Sequence, residues 1–296
     1  MSADKSGAGE SMMMCCCASC GVAEAGDVKL KNCTACYLVK YCSIKCQKDH
    51  RPKHKRACKK RAAELHDEIL FKQPESSHLG DCPICCIPLP LDLKESSMKG
   101  CCSKVICNGC NYANQSREVE GRLKHSCPFC RQLAPNSQIE SDTLELADRV
   151  KVNDPVALRQ VGSRCHMKGD YNGAFEYTSK AVEFGDVAAH YYLSIMYGDG
   201  QGVKKDEKKE IYHLEQAAIG GHTNARNGLG CIEGYRGQHD RAIKHFTIAA
   251  KQGHDESVGN LKKLYKVGKV SKEDFAATLR AYQAAVGATK SPQRDA

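Results

Sequence analysis

The apolar positions of this 296-residue chain form short runs, each broken within a few residues by Lys, Glu, Gly or His. Such runs are too short to cross a bilayer, so the pattern predicts no transmembrane helix. Residues 59–71 carry Leu65 and Ile69 one helical turn apart, with neither Gly nor Pro in the segment. This spacing predicts a linking helix, which the stretch around Pro74 would end.

The second half of the chain repeats one pattern of small and apolar residues. Three Ala-x3-Gly motifs recur at intervals of 36 and 32 residues, beginning at Ala181, Ala217 and Ala249. An apolar residue stands six positions before each Ala, and an Asp or His follows each Gly. Small residues let two helices cross closely, and glycine ends helices. The pattern therefore predicts stacked helices with a repeating unit.

These repeats resemble the Sel1-like repeats, which are relatives of the tetratricopeptide class. The resemblance is strongest at Tyr197-x2-Gly200-x-Gly202-Val203 and at Ala217-Ala218-x2-Gly221-His222. We place roughly three full units and a degenerate fourth, around Leu261 to Phe275, within residues 154–285. The resemblance implies an all-α solenoid whose surface binds other proteins.

The first half of the chain differs from the second in its cysteines. Of the 20 cysteines, only Cys165 and Cys231 lie beyond residue 130. Trp is absent and Phe is scarce, so this half cannot build a large apolar core without help. The N-terminal residues lack the pattern of a secretory signal, so we expect a cytoplasmic or nuclear location. There, clustered cysteines indicate metal binding rather than disulfides.

Residues 15–60 contain eight candidate ligands in four pairs, each pair separated by two or three residues. The pairs are Cys17/Cys20, Cys33/Cys36, Cys42/Cys46 and His54/Cys58. Zinc prefers four sulfur or imidazole donors at tetrahedral angles, so two ions would use all eight. Cys15 and Cys16 are spare, and a one-residue slip would let Cys16 replace Cys17.

This ligand pattern, with the flanking Tyr41, Ser43 and Gln47, resembles the MYND-type zinc finger. The resemblance implies two interleaved zinc sites: Cys17, Cys20, Cys42 and Cys46 on one ion, and Cys33, Cys36, His54 and Cys58 on the other. It also implies binding of short, often proline-containing peptides of partner proteins. The chain departs from the family at Arg51, where the family usually carries Trp.

Residues 81–132 form a second cysteine-rich segment. Its paired or adjacent cysteines are Cys82, Cys85, Cys101, Cys102, Cys107, Cys110, Cys127 and Cys130. The sequences Cys82-Pro-Ile-Cys85 and Cys127-Pro-Phe-Cys130 predict turns in which proline brings two thiolates together. We expect Cys86 to be a small side chain rather than a ligand.

The segment 81–132 resembles a RING-type domain. We expect one complete site from Cys82, Cys85, Cys107 and Cys110, and a second from Cys102, Cys127, Cys130 and one further ligand. The family places His at the position of Lys104, whose ammonium group is not a zinc ligand. Cys101, which is adjacent in sequence, and His125 are equal candidates for the missing ligand.

The RING resemblance also implies a partner. Ile84 lies where such domains contact a ubiquitin-conjugating enzyme, and Arg131 where some ligases hold the ubiquitin conjugate with a basic residue. A ligase of this type positions the conjugate and does no covalent chemistry itself. Because Lys104 breaks the pattern, a ubiquitin ligase is the alternative function, and an interaction adaptor or scaffold is the main hypothesis.

The net charge of +9 is concentrated in residues 51–61. No aromatic residue interleaves this run, so we interpret it as a solvated helix face rather than a nucleic-acid surface. The sequence contains neither a glycine-rich phosphate loop nor a GxSxG nucleophile motif. We therefore expect three to four zinc ions, and proteins or short peptides as partners rather than nucleic acid or membrane.

Together these patterns predict a multidomain chain: two small zinc-stabilised α+β modules followed by an all-α Sel1-like repeat solenoid. The predicted segments are a disordered tail (1–14), a MYND-type finger (15–60), a helical linker (61–80), a RING-type finger (81–132), a linker (133–153), the repeat domain (154–285) and a disordered tail (286–296).

Overall fold

The computed structural model describes residues 16–133 and 146–295. The predicted tail 1–14, the spare Cys15 and part of the linker 133–153 lie outside the described residues. The chain divides into two compact units at the Leu70–Phe71 junction. No helix of the described residues combines the length and the apolar character needed to cross a membrane.

The first unit is a small cysteine-rich fold with one long helix. Strands β1 (Lys31–Asn32) and β2 (Lys40–Tyr41) form an antiparallel ribbon, and helix α1 runs from Ile44 to Leu70 through Pro52. Its central buried cluster is Cys17, Cys33, Cys36, Val39 and Tyr41, and α1 adds the buried His54 and Leu70. A core this small, and made largely of cysteine, needs another source of stability, such as metal coordination.

The helical linker predicted over 61–80 differs from the structure at both ends. Its helical part is the second half of α1, which starts inside the cysteine module, and the helix stops at Leu70. Residues 71–80 are not helical. Pro74 accounts for part of this, because proline disfavours the helical conformation in the residue before it.

The second unit begins with a small α+β module. Its elements are a 3-10 turn (Leu93–Glu95), β3 (Ser96–Lys99), β4 (Lys104–Cys107) and α2 (Asn108–Glu120). Strands β3 and β4 pair antiparallel, with Ser96 opposite Cys107. The hairpin turn between them carries Cys101 and Cys102, so the two adjacent cysteines lie together at the end of the hairpin.

Four pairs of helices follow, and consecutive helices pack on each other within and between pairs. Their bounds are α3 Pro155–Met167, α4 Tyr171–Glu183, α5 Val187–Asp199, α6 Glu207–Ile219, α7 Thr223–Tyr235, α8 His239–Ala250, α9 Asp255–Lys266 and α10 Lys272–Ala288. A helical segment over 146–151 precedes them. The predicted fold class, two small cysteine-rich modules followed by a helical repeat solenoid, is confirmed.

The Ala-x3-Gly motif forms the same corner, a tight turn between two helices, at three places: between α4 and α5, between α6 and α7, and between α8 and α9. The alanines are fully buried at the helix crossings: Ala181, Ala217 and Ala249. The glycines that follow adopt left-handed φ angles of +87°, +84° and +89° and end the helix. The next residue then caps the following helix, through the carboxylate of Asp186 or the imidazole Nδ1 of His222 and His254.

The C-terminal residues 286–296 were predicted to be a disordered tail, and the structure differs. Helix α10 extends to Ala288, and a short helix α11 (Pro292–Asp295) packs on α2 of the cysteine-rich module. The sequence pattern gives no sign of this order, because it depends on contacts with residues far away along the chain.

The non-helical segment 71–80 runs across the repeats. The Phe71 ring lies 4.7 Å from the His245 ring, and Gln252 donates a hydrogen bond to the Ser76 carbonyl at 2.9 Å. The His78 amide donates to the Gly221 carbonyl at 3.1 Å. A Cβ atom on Gly221 would lie 2.7 Å from the Ser76 oxygen. A glycine at position 221 therefore permits both the positive φ of the corner and the close contact with the segment 71–80.

We expect Gly221→Ala to destabilise the second unit more than Gly185→Ala or Gly253→Ala does. All three variants place a side chain at positive φ, which costs about 1–2 kcal/mol. Only Gly221→Ala also collides with the segment 71–80, which adds about 1–3 kcal/mol. Urea unfolding of the full chain, followed by helical circular dichroism, measures the difference. Equal losses in the three variants would contradict the close contact.

Candidate metal centres

Among the described residues, sixteen cysteine and histidine side chains come together in four groups of four. Within each group the possible ligand atoms all lie within 4.8 Å of one another. The groups are Cys17, Cys20, Cys42, Cys46; Cys33, Cys36, His54, Cys58; Cys82, Cys85, Cys107, Cys110; and Cys101, Cys102, Cys127, Cys130. We call them clusters 1 to 4 in this order. Clusters 1 and 2 alternate along the first unit, and clusters 3 and 4 alternate along the second.

The distances inside the clusters fit tetrahedral zinc. A zinc–sulfur bond of about 2.3 Å implies sulfur atoms about 3.8 Å apart in a tetrahedron. The Sγ atoms of Cys20 and Cys42 are 3.6 Å apart, and those of Cys33 and Cys58 are 3.8 Å apart. In a disulfide the two sulfurs would be about 2.05 Å apart. The geometry is therefore that of thiols around an ion.

Helix α1 links the two clusters of the first unit. It carries Cys46 of cluster 1 and, one turn apart on the same face, His54 and Cys58 of cluster 2. The buried Cys17 belongs to cluster 1, whereas Cys16 is exposed and lies in none of the four clusters. The one-residue slip that the sequence left open is not the arrangement in the structure.

Two residues that the sequence analysis did not single out as ligands support His54. The Tyr41 hydroxyl is hydrogen-bonded to His50 Nδ1 at 3.0 Å, and the His50 ring stacks on the His54 ring at 5.7 Å. Burial, together with nearby His50, lowers the pKa of His54. This favours the neutral imidazole that binds zinc. The signal available in the sequence was the spacing of His50, four residues before His54.

The pKa values of the thiols in cluster 1 are shifted in opposite directions. Burial acts to raise the pKa of Cys17, but hydrogen bonds, chiefly from the Cys20 and Cys42 amides, lower it to about 6. Thiol hydrogen bonds with Cys46 and Cys20 raise the pKa of Cys42 to about 12. Four thiolates this close together need a cation, and a divalent ion offsets their repulsion.

Cluster 4 takes Cys101, and not His125, as its fourth member. The Sγ atoms of Cys101 and Cys130 are 3.5 Å apart, and those of Cys102 and Cys127 are 3.9 Å apart. The turn of the β3–β4 hairpin accommodates the adjacent pair, with Ser103 at a left-handed φ of 56°. Lys104, at the position where the family carries His, begins β4 and is exposed.

His125 instead supports the loop that carries Cys127. Its Nδ1 is hydrogen-bonded to the buried carboxylate of Glu118 at 3.0 Å. Glu118 also accepts hydrogen bonds from the amide and hydroxyl of Ser126. Burial acts to raise the pKa of Glu118, but these hydrogen bonds, with that from His125 the strongest, lower it to about 2. The Glu118 carboxylate thus fixes the residue next to a cluster cysteine.

Ile84, predicted to contact a ubiquitin-conjugating enzyme, and Arg131, predicted to hold the ubiquitin conjugate, lie on the surface beside clusters 3 and 4. Ile84 is 40% exposed. Arg131 has a left-handed φ of 64°, and its guanidinium donates to Asn114 Oδ1 at 3.2 Å. Their contacts with a partner stay predictions. Cys86 is exposed and belongs to none of the four clusters.

The donor sets decide which metal these clusters suit. Three are all-cysteine and one has three cysteines and a histidine, which are the ligand sets of structural zinc sites. Oxygen-preferring ions such as calcium or magnesium are disfavoured by thiolates. The prediction of zinc is confirmed, with about four sites.

Comparison with known proteins agrees with these features. Residues 17–58 match the family described as MYND finger, and residues 155–186, 187–222 and 225–254 match the Sel1 repeat. Chitin synthase regulatory factor 4 of Schizosaccharomyces pombe is 32% identical over 86 residues, which is 29% of this chain and 14% of that protein.

Two solved structures are similar to about half of this chain. A Sel1 repeat protein from Oxalobacter formigenes has a TM-score of 0.43 at 22% identity, over 52% of this chain and 66% of that one. The Escherichia coli protein c5321, a protective antigen with an SLR fold, has a TM-score of 0.41 at 24% identity, over 52% of this chain and 34% of that one. This chain thus spans less than two thirds of these relatives. It contains a zinc-binding MYND finger at residues 17–58, followed by three Sel1 repeats between residues 155 and 254.

Proposed function

We propose that this chain is a protein-interaction adaptor whose zinc ions are structural and whose MYND finger and repeats each bind a partner. The observation that carries the proposal is that all four clusters are closed. Each offers four protein ligands, whereas a catalytic zinc site keeps one position free for water or substrate. The ions therefore hold the modules in shape and leave recognition to the surfaces around them.

The ligands we assign are the sixteen members of clusters 1 to 4, with Cys101 as the fourth ligand of cluster 4. Support comes from the short sulfur–sulfur distances in every cluster and from the interleaving of the pairs along the chain. His125 stays outside the ligand set and acts through Glu118 on the loop of Cys127.

The MYND finger offers an apolar surface that its own core does not use. Tyr37 is 65% exposed, Leu38 48% and Ile44 73%, and all three lie within a few residues of cluster ligands. Large apolar side chains exposed on a rigid zinc module are typical of a binding site for a partner. We assign to this surface the short, proline-containing peptides that MYND fingers generally bind.

The repeats supply the second interaction surface. Sel1 repeats generally mediate protein–protein contacts, and this stack exposes Tyr212 on α6 and Tyr235 at the end of α7. Aromatic side chains are enriched in protein interfaces because they bury a large area with few rotatable bonds. An adaptor with two separate recognition surfaces can hold two partners together.

The ligand assignment predicts the zinc content of variants. Elemental analysis of the purified chain should give about four zinc ions, and Cys101→Ser should lower the count by one. His125→Gln should retain all four, because Gln keeps a hydrogen-bond donor near Glu118. Cys86→Ser is the matched control, since this exposed cysteine lies outside the clusters. Loss of an ion in His125→Gln, with Cys101→Ser unaffected, would reverse the assignment.

The peptide surface predicts a local loss of affinity. Once a proline-containing peptide has been selected from an array, Leu38→Asp should weaken its binding about 10-fold or more, because a charge replaces an apolar contact. Ile69→Asp is the control, since Ile69 is an exposed apolar residue at the other end of α1. Fluorescence anisotropy measures both affinities at verified zinc content. Equal effects of the two substitutions would argue against this surface.

Ubiquitin ligase activity is a separate hypothesis, and the family matches give it no support. The exposed Ile84 and Arg131 are the surface residues that favour it. We expect no ubiquitin chains when the purified protein is incubated with ATP, activating enzyme and a panel of conjugating enzymes. Chains that disappear in Ile84→Ala, but persist in Leu38→Asp, would replace the adaptor proposal with that of a ligase.

A further inference from the structure

Gln293 and Arg294, near the C-terminus, contact cysteines of cluster 3. Arg294 Nη2 lies 3.3 Å from Cys85 Sγ and donates to the Ile87 carbonyl at 2.9 Å. Its Nη1 donates to the Pro88 carbonyl at 2.7 Å. One guanidinium therefore contacts a cluster cysteine and both carbonyls of the turn that follows it, across more than 200 residues of chain.

A second contact reaches the same cluster from the neighbouring residue. Gln293 Nε2 lies 3.8 Å from Cys110 Sγ. A Cβ atom on Gly109 would lie 2.5 Å from the Gln293 carbonyl oxygen, so the glycine at the start of α2 leaves room for α11. The Arg294 guanidinium also holds its own chain, because Nη1 donates to the Thr289 carbonyl at 2.7 Å.

The charge of a cysteine-only zinc site explains why such a donor matters. Four thiolates and one Zn²⁺ leave a net charge of −2 in a largely buried position, since Cys82, Cys107 and Cys110 are buried. A cationic N–H donor to a ligand sulfur stabilises that charge and orients the ligand. Outer-shell partners of this kind change metal affinity by about 10- to 100-fold when they are removed.

We propose that Arg294 is a positioning residue for the zinc ion of cluster 3, and that the C-terminal segment 289–295 is thereby part of that metal centre. The guanidinium stabilises the Cys85 thiolate and fixes the turn 85–88. This inference rests on the ligand assignment made above. It adds that the zinc module is complete only when the far end of the repeat half has folded back onto it.

The test uses the zinc-loaded full chain and its Arg294→Ala and Arg294→Lys variants. A pulse of N-ethylmaleimide in the presence of a chelator, followed by peptide mass spectrometry, reports the release of zinc cluster by cluster. We expect the four cysteines of cluster 3 to be labelled about 10-fold faster in Arg294→Ala. Clusters 1, 2 and 4 should be labelled at the wild-type rate and serve as internal controls.

Arg280→Ala is the matched control, because Arg280 is an exposed arginine on α10 and its loss changes the net charge equally. It should leave all four clusters unchanged. Arg294→Lys should fall between the wild type and Arg294→Ala, since lysine keeps the charge but lacks the planar fork that reaches sulfur and carbonyl together. Unchanged labelling of cluster 3 in Arg294→Ala, or equal acceleration in all clusters, would overturn the proposal.

A second readout separates an effect on the thiolate from a clamp on the backbone. In the cobalt-loaded chain, hydrogen bonds to sulfur reduce its electron donation, so Arg294→Ala should move the sulfur-to-cobalt charge-transfer band to longer wavelength. Arg280→Ala should not move it. Faster labelling without a band shift would mean that Arg294 acts only on the backbone of the turn 85–88, and would overturn its proposed effect on the thiolate.

Absence of metal from cluster 3 in the wild-type chain would instead show that the ligand assignment is wrong. The two failures are therefore distinguishable from each other.

Discussion

Coordination of thiolates by zinc is the interaction on which the first half of this protein depends. Among the described residues of the first unit, the buried cluster is three cysteines with Val39 and Tyr41, and His54 and Leu70 are buried on α1. This is too little apolar surface to offset the entropy of ordering the chain. Each ion ties together pairs of ligands that are distant in sequence, and the interleaving of clusters 1 and 2 means that neither site forms without most of the module in place. Metal binding and folding are therefore one event here.

The helical half is stabilised by packing between helices rather than by metal coordination. Its stability comes from repeated corners, in which a buried alanine lets two helices meet, a left-handed glycine ends one helix, and Asp or His caps the next. These corners need only local sequence, which is why they recur at Ala181, Ala217 and Ala249 with the same geometry. The zinc module of clusters 3 and 4 is then joined to the repeats by segment 71–80 and by the C-terminal residues, both of which cross the unit.

In the proposed adaptor, partners bind to surfaces that the zinc modules and the helical repeats hold rigid. A closed zinc site cannot bind a substrate, but it fixes the backbone around it, so Tyr37, Leu38 and Ile44 can remain exposed without collapsing into a core. At cluster 3 the buried negative charge is stabilised within the module by the Cys110 amide, which lies 3.4 Å from Cys107 Sγ, and also by the guanidinium of Arg294. Arg294 comes from the opposite end of the unit, and this links the integrity of one module to the folding of the other.

The sequence by itself determined the cysteine pairs, the interleaving implied by the family, the repeat period and the fold class, because ligand spacing and helix corners are local properties of the chain. It left open whether Cys101 or His125 lies with Cys102, Cys127 and Cys130 in cluster 4, since this depends on how the β3–β4 turn presents two adjacent thiols. It placed a disordered tail where Arg294 meets Cys85. Only the tertiary structure decided these points, because the contacts join residues whose separation along the chain carries no periodic or compositional signal.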